Sequence, residues 1–141
     1  MASVSALGLD IGRRRIGVAG CDGTGLIATG LATLQRRSFA QLVADLQHIA
    51  QSRQAQVLVV GLPLTMDGEE GFQARQVRKL TKGLSQALGL PAVYVDERLS
   101  SVEAEQLMQA EGISVAQEKA LIDRKAAAII LQRWLDERRL A

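Results

Sequence analysis

Aromatic residues are scarce in this chain: Phe39, Phe72, Tyr94 and Trp134 are the only four, while nearly half of the 141 residues are hydrophobic. Its core must therefore be aliphatic. One cysteine, Cys21, excludes an intrachain disulfide and a thiolate cluster, and reads as a small core residue. One histidine, His48, has no second histidine to complete a zinc site, and it falls on the polar face of its helix with Gln41, Asp45 and Ser52. No segment approaches the roughly 20 apolar residues that cross a bilayer. The N-terminus lacks a basic stretch leading into a long apolar one, so no membrane association and a cytoplasmic location are expected. Repeats, low-complexity tracts and linkers are also missing, which at this length leaves one domain, residues 1–141.

The net charge of +2 says little about partners, but its distribution says more. Residues 1–82 carry ten basic and six acidic side chains, whereas residues 83–141 carry seven and nine. A basic N-terminal half suits a polyanion.

Val4–Ile11, Ile16–Cys21 and Gly25–Leu34 read as three short strands. Ser38 and Gln41 form a capping box before a helix whose buried face holds Phe39, Leu42, Val43, Leu46, Ile49 and Ala50. "VLVVG" at 57–61 is wholly apolar, as a strand covered on both faces should be. A second helix buries Val77, Leu80, Leu84 and Leu88, and "PAVYV" makes a fifth strand ending at Asp96 and Glu97. Ser100 and Glu103 cap a third helix, Gly112 and Ser114 interrupt it, and a last helix follows. This order predicts an α/β fold, a mixed five-stranded sheet flanked by helices, with its site beyond the carboxyl ends of the parallel strands.

Three carboxylates stand out. Asp10 lies within the first strand between Leu9 and Ile11, where an unpaired charge costs several kcal/mol. Adjacent strand residues face opposite ways, so at most one of Asp96 and Glu97 shares a site with Asp10. Asp123 shares a helix face with Ala126, Ala127, Ile130 and Trp134, and the two alanines let that helix approach the sheet. Each acid alone has an ordinary explanation as an ion pair or a cap. Three inward-facing acids together call for a hard divalent cation, Mg²⁺ or Mn²⁺, and for two-metal hydrolysis of a phosphodiester.

Arg13, Arg14 and Arg15 follow Asp10 closely, where an arginine fork suits phosphate. Arg75, Arg78, Lys79 and Lys82 form one helical stripe, an ordinary solvated face that becomes a track for a phosphate backbone when it borders a metal site. "GEEG" at 68–71 precedes a helix, but Glu69 and Glu70 already supply the negative charge favoured there.

Four segments, "LGLDIGRRRIGVAG", "VVGLPLTMDGEEGFQARQV", "VYVDERLSSVEAE" and "IDRKAAAIILQRWL", resemble in order and spacing the YqgF family, also called RuvX. That resemblance implies a ribonuclease H-like fold with strand order 3-2-1-4-5 and an antiparallel first three strands. It implies Asp10, Glu97 and Asp123 as catalytic and metal-binding acids, with Arg14, Arg15 and Arg98 on basic positions. The segment before Asp123 is less basic than the family's usual one, and Arg124 and Lys125 partly restore that charge. The activity implied is a metal-dependent endonuclease trimming the 5′ end of pre-16S rRNA, with the small ribosomal subunit precursor as its setting. The alternatives are a resolvase of four-way DNA junctions, which would need a homodimer where the RNA enzyme could be a monomer, and a non-catalytic RNA- or ribosome-binding factor. An actin-like ATPase needs two such lobes, and this chain has length for one.

Overall fold

A computed structural model gives the structure of residues 4–97, 100–112 and 118–140, without the side chains of 100–102. Three strands come first, β1 (Ala6–Ile11), β2 (Arg15–Cys21) and β3 (Ala28–Gln35), followed by α1 (Phe39–Arg53), β4 (Val57–Leu62), α2 (Phe72–Leu88) and β5 (Ala92–Asp96), then α3 (Ser100–Ala110) and α4 (Lys119–Leu140). The sheet order is β3-β2-β1-β4-β5. β1, β2 and β3 pair antiparallel, while β4 runs parallel to β1 and β5 parallel to β4. Both the order and the directions are those that the resemblance implied.

The period-two alternation of the strands decides what each sheet face buries. Leu7, Leu9, Leu58 and Val60 face one way, into a core closed by Leu42 and Leu46 of α1 and Val77 and Leu84 of α2. Ala6, Ala19, Val59 and Val95 face the other way, against Ala127, Ile130, Leu131 and Leu135 of α4. Ala104 and Met108 then pack α3 onto Ile122 and Ala126 of α4. The fully buried residues of these clusters are aliphatic or sulfur-bearing, Cys21 among them, as the shortage of aromatics requires.

Several local readings shift. β3 starts at Ala28 rather than Gly25, because Asp22 Oδ1 accepts from the amides of Leu26 (2.9 Å) and Ile27 (3.2 Å) and holds those residues in a turn. Only half of the first capping box forms: Ser38 Oγ accepts from Gln41 N (3.1 Å), but the Gln41 side chain donates to Asp45 instead. Phe39 is 48% exposed rather than buried, since it stands at the first position of α1 with its ring against Gly83 of α2. On α4 the fully buried set is Ile122, Ala126, Ala127, Ile130, Leu131 and Leu135, and Trp134 is only half-buried beneath Arg138. The Ser100 side chain, expected as a cap, is not described, and the break expected at Ser114 lies outside the described residues. His48 is exposed, as expected. Among the described residues no helix is long and apolar enough to cross a membrane.

Candidate nuclease site

Parity along β5 resolves the choice between Asp96 and Glu97. Val95 belongs to the α4 face, so Glu97, two residues on, also points to that face while Asp96 points away. Glu97 N donates to Leu62 O (3.2 Å), which extends the β4–β5 pairing to this residue. Asp10 lies on the same face, two residues beyond Gly8, and the β1–β4 register (Leu9 beside Val60) continues to bring Asp10 beside Gly61. Glycine at 61 matters because β4 lies between the two acids. A Cβ there would stand 3.0 Å from Glu97 Cδ and 3.1 Å from its Cβ.

The two carboxyls are hydrogen-bonded to each other. Burial, reinforced by the Asp10 charge and the hydrogen bond, pushes the Glu97 carboxyl up to about 9. Burial also raises Asp10, with a further contribution from the Asp123 charge, while the proton that Glu97 donates works in the opposite direction. Without a cation the pair therefore shares a proton at neutral pH.

Asp123 approaches from the other side. Gly17 is the cross-strand partner of Asp10, and a Cβ on it would fall 1.9 Å from the backbone oxygen of Asp123. The start of α4 thus lies directly over the bare backbone of β2. The side chain of Asp123, however, accepts from Arg15 Nε at 2.6 Å. Of the three expected acids the structure joins two and holds the third on an arginine. Among the described residues no group of three His, Cys, Asp or Glu side chains is spaced to hold a metal ion.

The expected basic residues divide into those with partners and those open to solvent. Arg15 is held by Asp123, and Arg78 makes a two-pronged pair with Glu70 (2.5 and 2.9 Å) while stacking on Tyr94. Arg124 donates to Thr33, and Lys125 lies 3.5 Å from Glu111. Arg13, Arg14, Arg75, Lys79 and Lys82 are exposed, and Arg98 lies outside the described residues. A cleft of about 1030 Å³ takes in Asp10 and Glu97 together with Arg13 and Lys79. It also takes in Arg36, Phe39 and Phe72, none of which the sequence marked as site residues. Arg36 reaches back to donate to Gly12 O (2.7 Å), a contact across the β1–β2 turn that local pattern does not reveal.

Comparison with known proteins gives this geometry a context. A protein of Trichormus variabilis is 63% identical over 136 residues, covering 96% of this chain and 90% of its own, and one of Rippkaea orientalis is 59% identical over 139 residues, covering 99% and 100%. Both carry the name "Putative pre-16S rRNA nuclease". In structure the chain is similar to Thermus thermophilus RuvC in complex with Holliday junction substrate, with TM-score 0.59, 13% identity and 96% of each chain covered. It is also similar to a fowlpox virus resolvase bound to Holliday junction DNA, with TM-score 0.55, 10% identity and 96% and 99% covered. At such identities the likeness shows a shared fold, the ribonuclease H-like sheet of resolvases. Residues 4–137 match the RuvX family, described as Holliday junction resolvase, and the chain belongs to that family.

Proposed function

We propose that this chain is a divalent-metal-dependent endonuclease that hydrolyses phosphodiester bonds, with the 5′ end of pre-16S rRNA as its substrate. The observation that carries this reading is the meeting of Asp10 and Glu97, 87 positions apart in sequence, in a cleft that also holds Arg13, Arg36 and Lys79. The choice of substrate is supported by relatives at 55–63% identity that bear the pre-16S name. It brings with it a cytoplasmic location, the small-subunit precursor as partner, and residues 1–141 acting as one nuclease domain.

The donor set fits a hard cation, Mg²⁺ or Mn²⁺. Two oxygen donors of like charge, buried side by side, need either a proton or a cation between them, and Mg²⁺ binds with one or two carboxylates plus water and substrate oxygens. Asp10 and Glu97 would hold it, with Asp123 as a third acid once Arg15 turns to a phosphate. Bound there, the ion would supply Lewis acidity and a water of lowered pKa. The chain's own groups do the rest. Arg13, Arg36 and Lys79 draw the phosphodiester into the cleft, and Arg13–Arg15 present guanidinium forks to its oxygens. Gly61 leaves Glu97 room to reach Asp10, and Gly17 lets α4 bring Asp123 alongside.

The family description favours a second reading, a four-way-junction resolvase, which needs paired cuts from a symmetric dimer. Incubating the chain with a labelled pre-16S 5′ fragment and with a four-way DNA junction, in Mg²⁺, Mn²⁺ or EDTA, separates the two. The proposal expects metal-dependent cutting of the RNA, lost in Asp10→Asn. Metal-dependent cutting of the junction alone would transfer the assignment to the resolvase. Binding of the RNA without cutting under any condition would leave a non-catalytic factor.

A further inference from the structure

Folding accounts for only part of the two phenylalanines: the Phe39 ring meets Gly83 of α2 on one side, and the rest of it stays open. In a chain with so few aromatics, Phe39 is 48% exposed and Phe72 68% exposed. Each would contribute most to stability if buried. Instead, each occupies the first position of a helix, Phe39 in α1 and Phe72 in α2, and both line the cleft that holds Asp10 and Glu97. Leu64 and Leu80 extend this apolar wall, and Arg13, Arg36 and Lys79 add positive charge to the same cleft. Partly exposed aromatic rings beside cations, next to an acidic site, match the chemistry of a nucleotide: a flat base joined to an anionic phosphate. In a duplex the base faces are already stacked on their neighbours, so only an unpaired base can offer its face to a phenyl ring.

We propose that Phe39 and Phe72 form a stacking platform that seats unpaired bases of a single strand, making single-stranded nucleic acid the form that enters the Asp10–Glu97 site. The proposal rests on the nuclease reading above and adds to it the state of the strand. It assigns Arg13, Arg36 and Lys79 to the phosphates and the two rings to the bases. Because stacking is indifferent to base identity, the platform selects unpaired over paired strands and not one sequence over another.

The test is fluorescence anisotropy in EDTA, with a labelled single-stranded RNA of about 12 nucleotides and a duplex of the same length. Phe39→Ala and Phe72→Ala should each weaken single-strand binding about 10-fold and leave duplex binding unchanged. Phe72→Trp should keep native affinity, and its added fluorescence should be quenched when RNA binds. Single-strand affinity unaltered in both alanine variants, or an equal loss on the duplex, would overturn the platform. Cleavage assays keep the two proposals apart. Unaltered binding with cutting that still depends on Asp10 removes the platform alone. Weakened single-strand binding in the alanine variants, together with a native chain that never cuts, removes the nuclease reading and leaves the platform.

Discussion

Glu97 carries the physical tension of the site. Its carboxyl is held neutral, up to about 9, by burial first and by Asp10 second. In the unfolded chain the same group ionises near 4.5. Folding therefore retains a proton that the unfolded chain loses, so this group's contribution to stability is whole below about 4.5 and declines as pH rises toward 9. Asp10, also raised, adds in the same direction. In EDTA the melting temperature should fall across that window, and Glu97→Gln, neutral at every pH, should flatten the decline. A wild-type melting temperature that is level from pH 5 to 9, and indistinguishable from that of Glu97→Gln, would contradict the buried-pair account. Mg²⁺ or Mn²⁺ at the alkaline end should raise the melting temperature of the native chain and leave that of Glu97→Gln nearly unmoved.

Between elements, two glycines determine how closely the pieces meet, and they should respond differently to substitution. At Gly17 an added Cβ meets the Asp123 backbone oxygen, and a helix backbone cannot move aside without shifting α4 off the sheet. Gly17→Ala should cost about 1–3 kcal/mol or more in denaturant unfolding. At Gly61 the nearest atom is the tip of Ile130 at 2.4 Å, which can rotate at about 1 kcal/mol. Gly61→Ala should therefore unfold nearly as the native chain does, yet lose activity, because Glu97 is pushed from Asp10. The reverse order of stabilities would mean that α4 and β4 pack otherwise. These glycines also mark where the sequence stopped being legible. Hydrophobic patterning located the five strands and the other described helices, a capping box pointed to α3, and strand parity limited the site to one of Asp96 and Glu97, because these signals are local. A glycine inside a strand carries no periodic signal, and its function appears only once the helix crossing over it is known. The same holds for Arg15, which stands near Asp10 in sequence but pairs with Asp123, 108 residues away. It holds equally for Phe39, placed on a buried stripe by helical spacing but left open because the stripe ends at the first turn.

For the whole molecule, the surplus of positive charge is small, so attraction for a polyanion must come from where the cations stand. Arg13, Arg36 and Lys79 share the cleft with the acids, whereas Arg78, Arg124 and Lys125 are held by Glu70, Thr33 and Glu111. Replacing Arg13 and Lys79 together by glutamine should therefore reduce the salt dependence of single-stranded RNA binding, lowering the slope of log K against log salt by about 1.4. Removing Arg78 and Lys125 instead should change that slope far less. Equal effects from the two pairs would mean that the nucleic acid does not enter by this cleft.

The most direct measurement is single-turnover cleavage of the pre-16S 5′ fragment in Mn²⁺ by the native chain and Glu97→Gln, with their melting temperatures recorded alongside. Glutamine preserves the shape of the side chain and can still donate to Asp10, but it cannot supply an anionic oxygen to a cation. The account predicts cleavage slowed by about 10³-fold or more, on the scale of losing a principal electrostatic group, in a variant at least as stable as the native chain above neutral pH. Native-rate cleavage by a folded Glu97→Gln would contradict it, and would reduce the Asp10–Glu97 pair to a structural hydrogen bond.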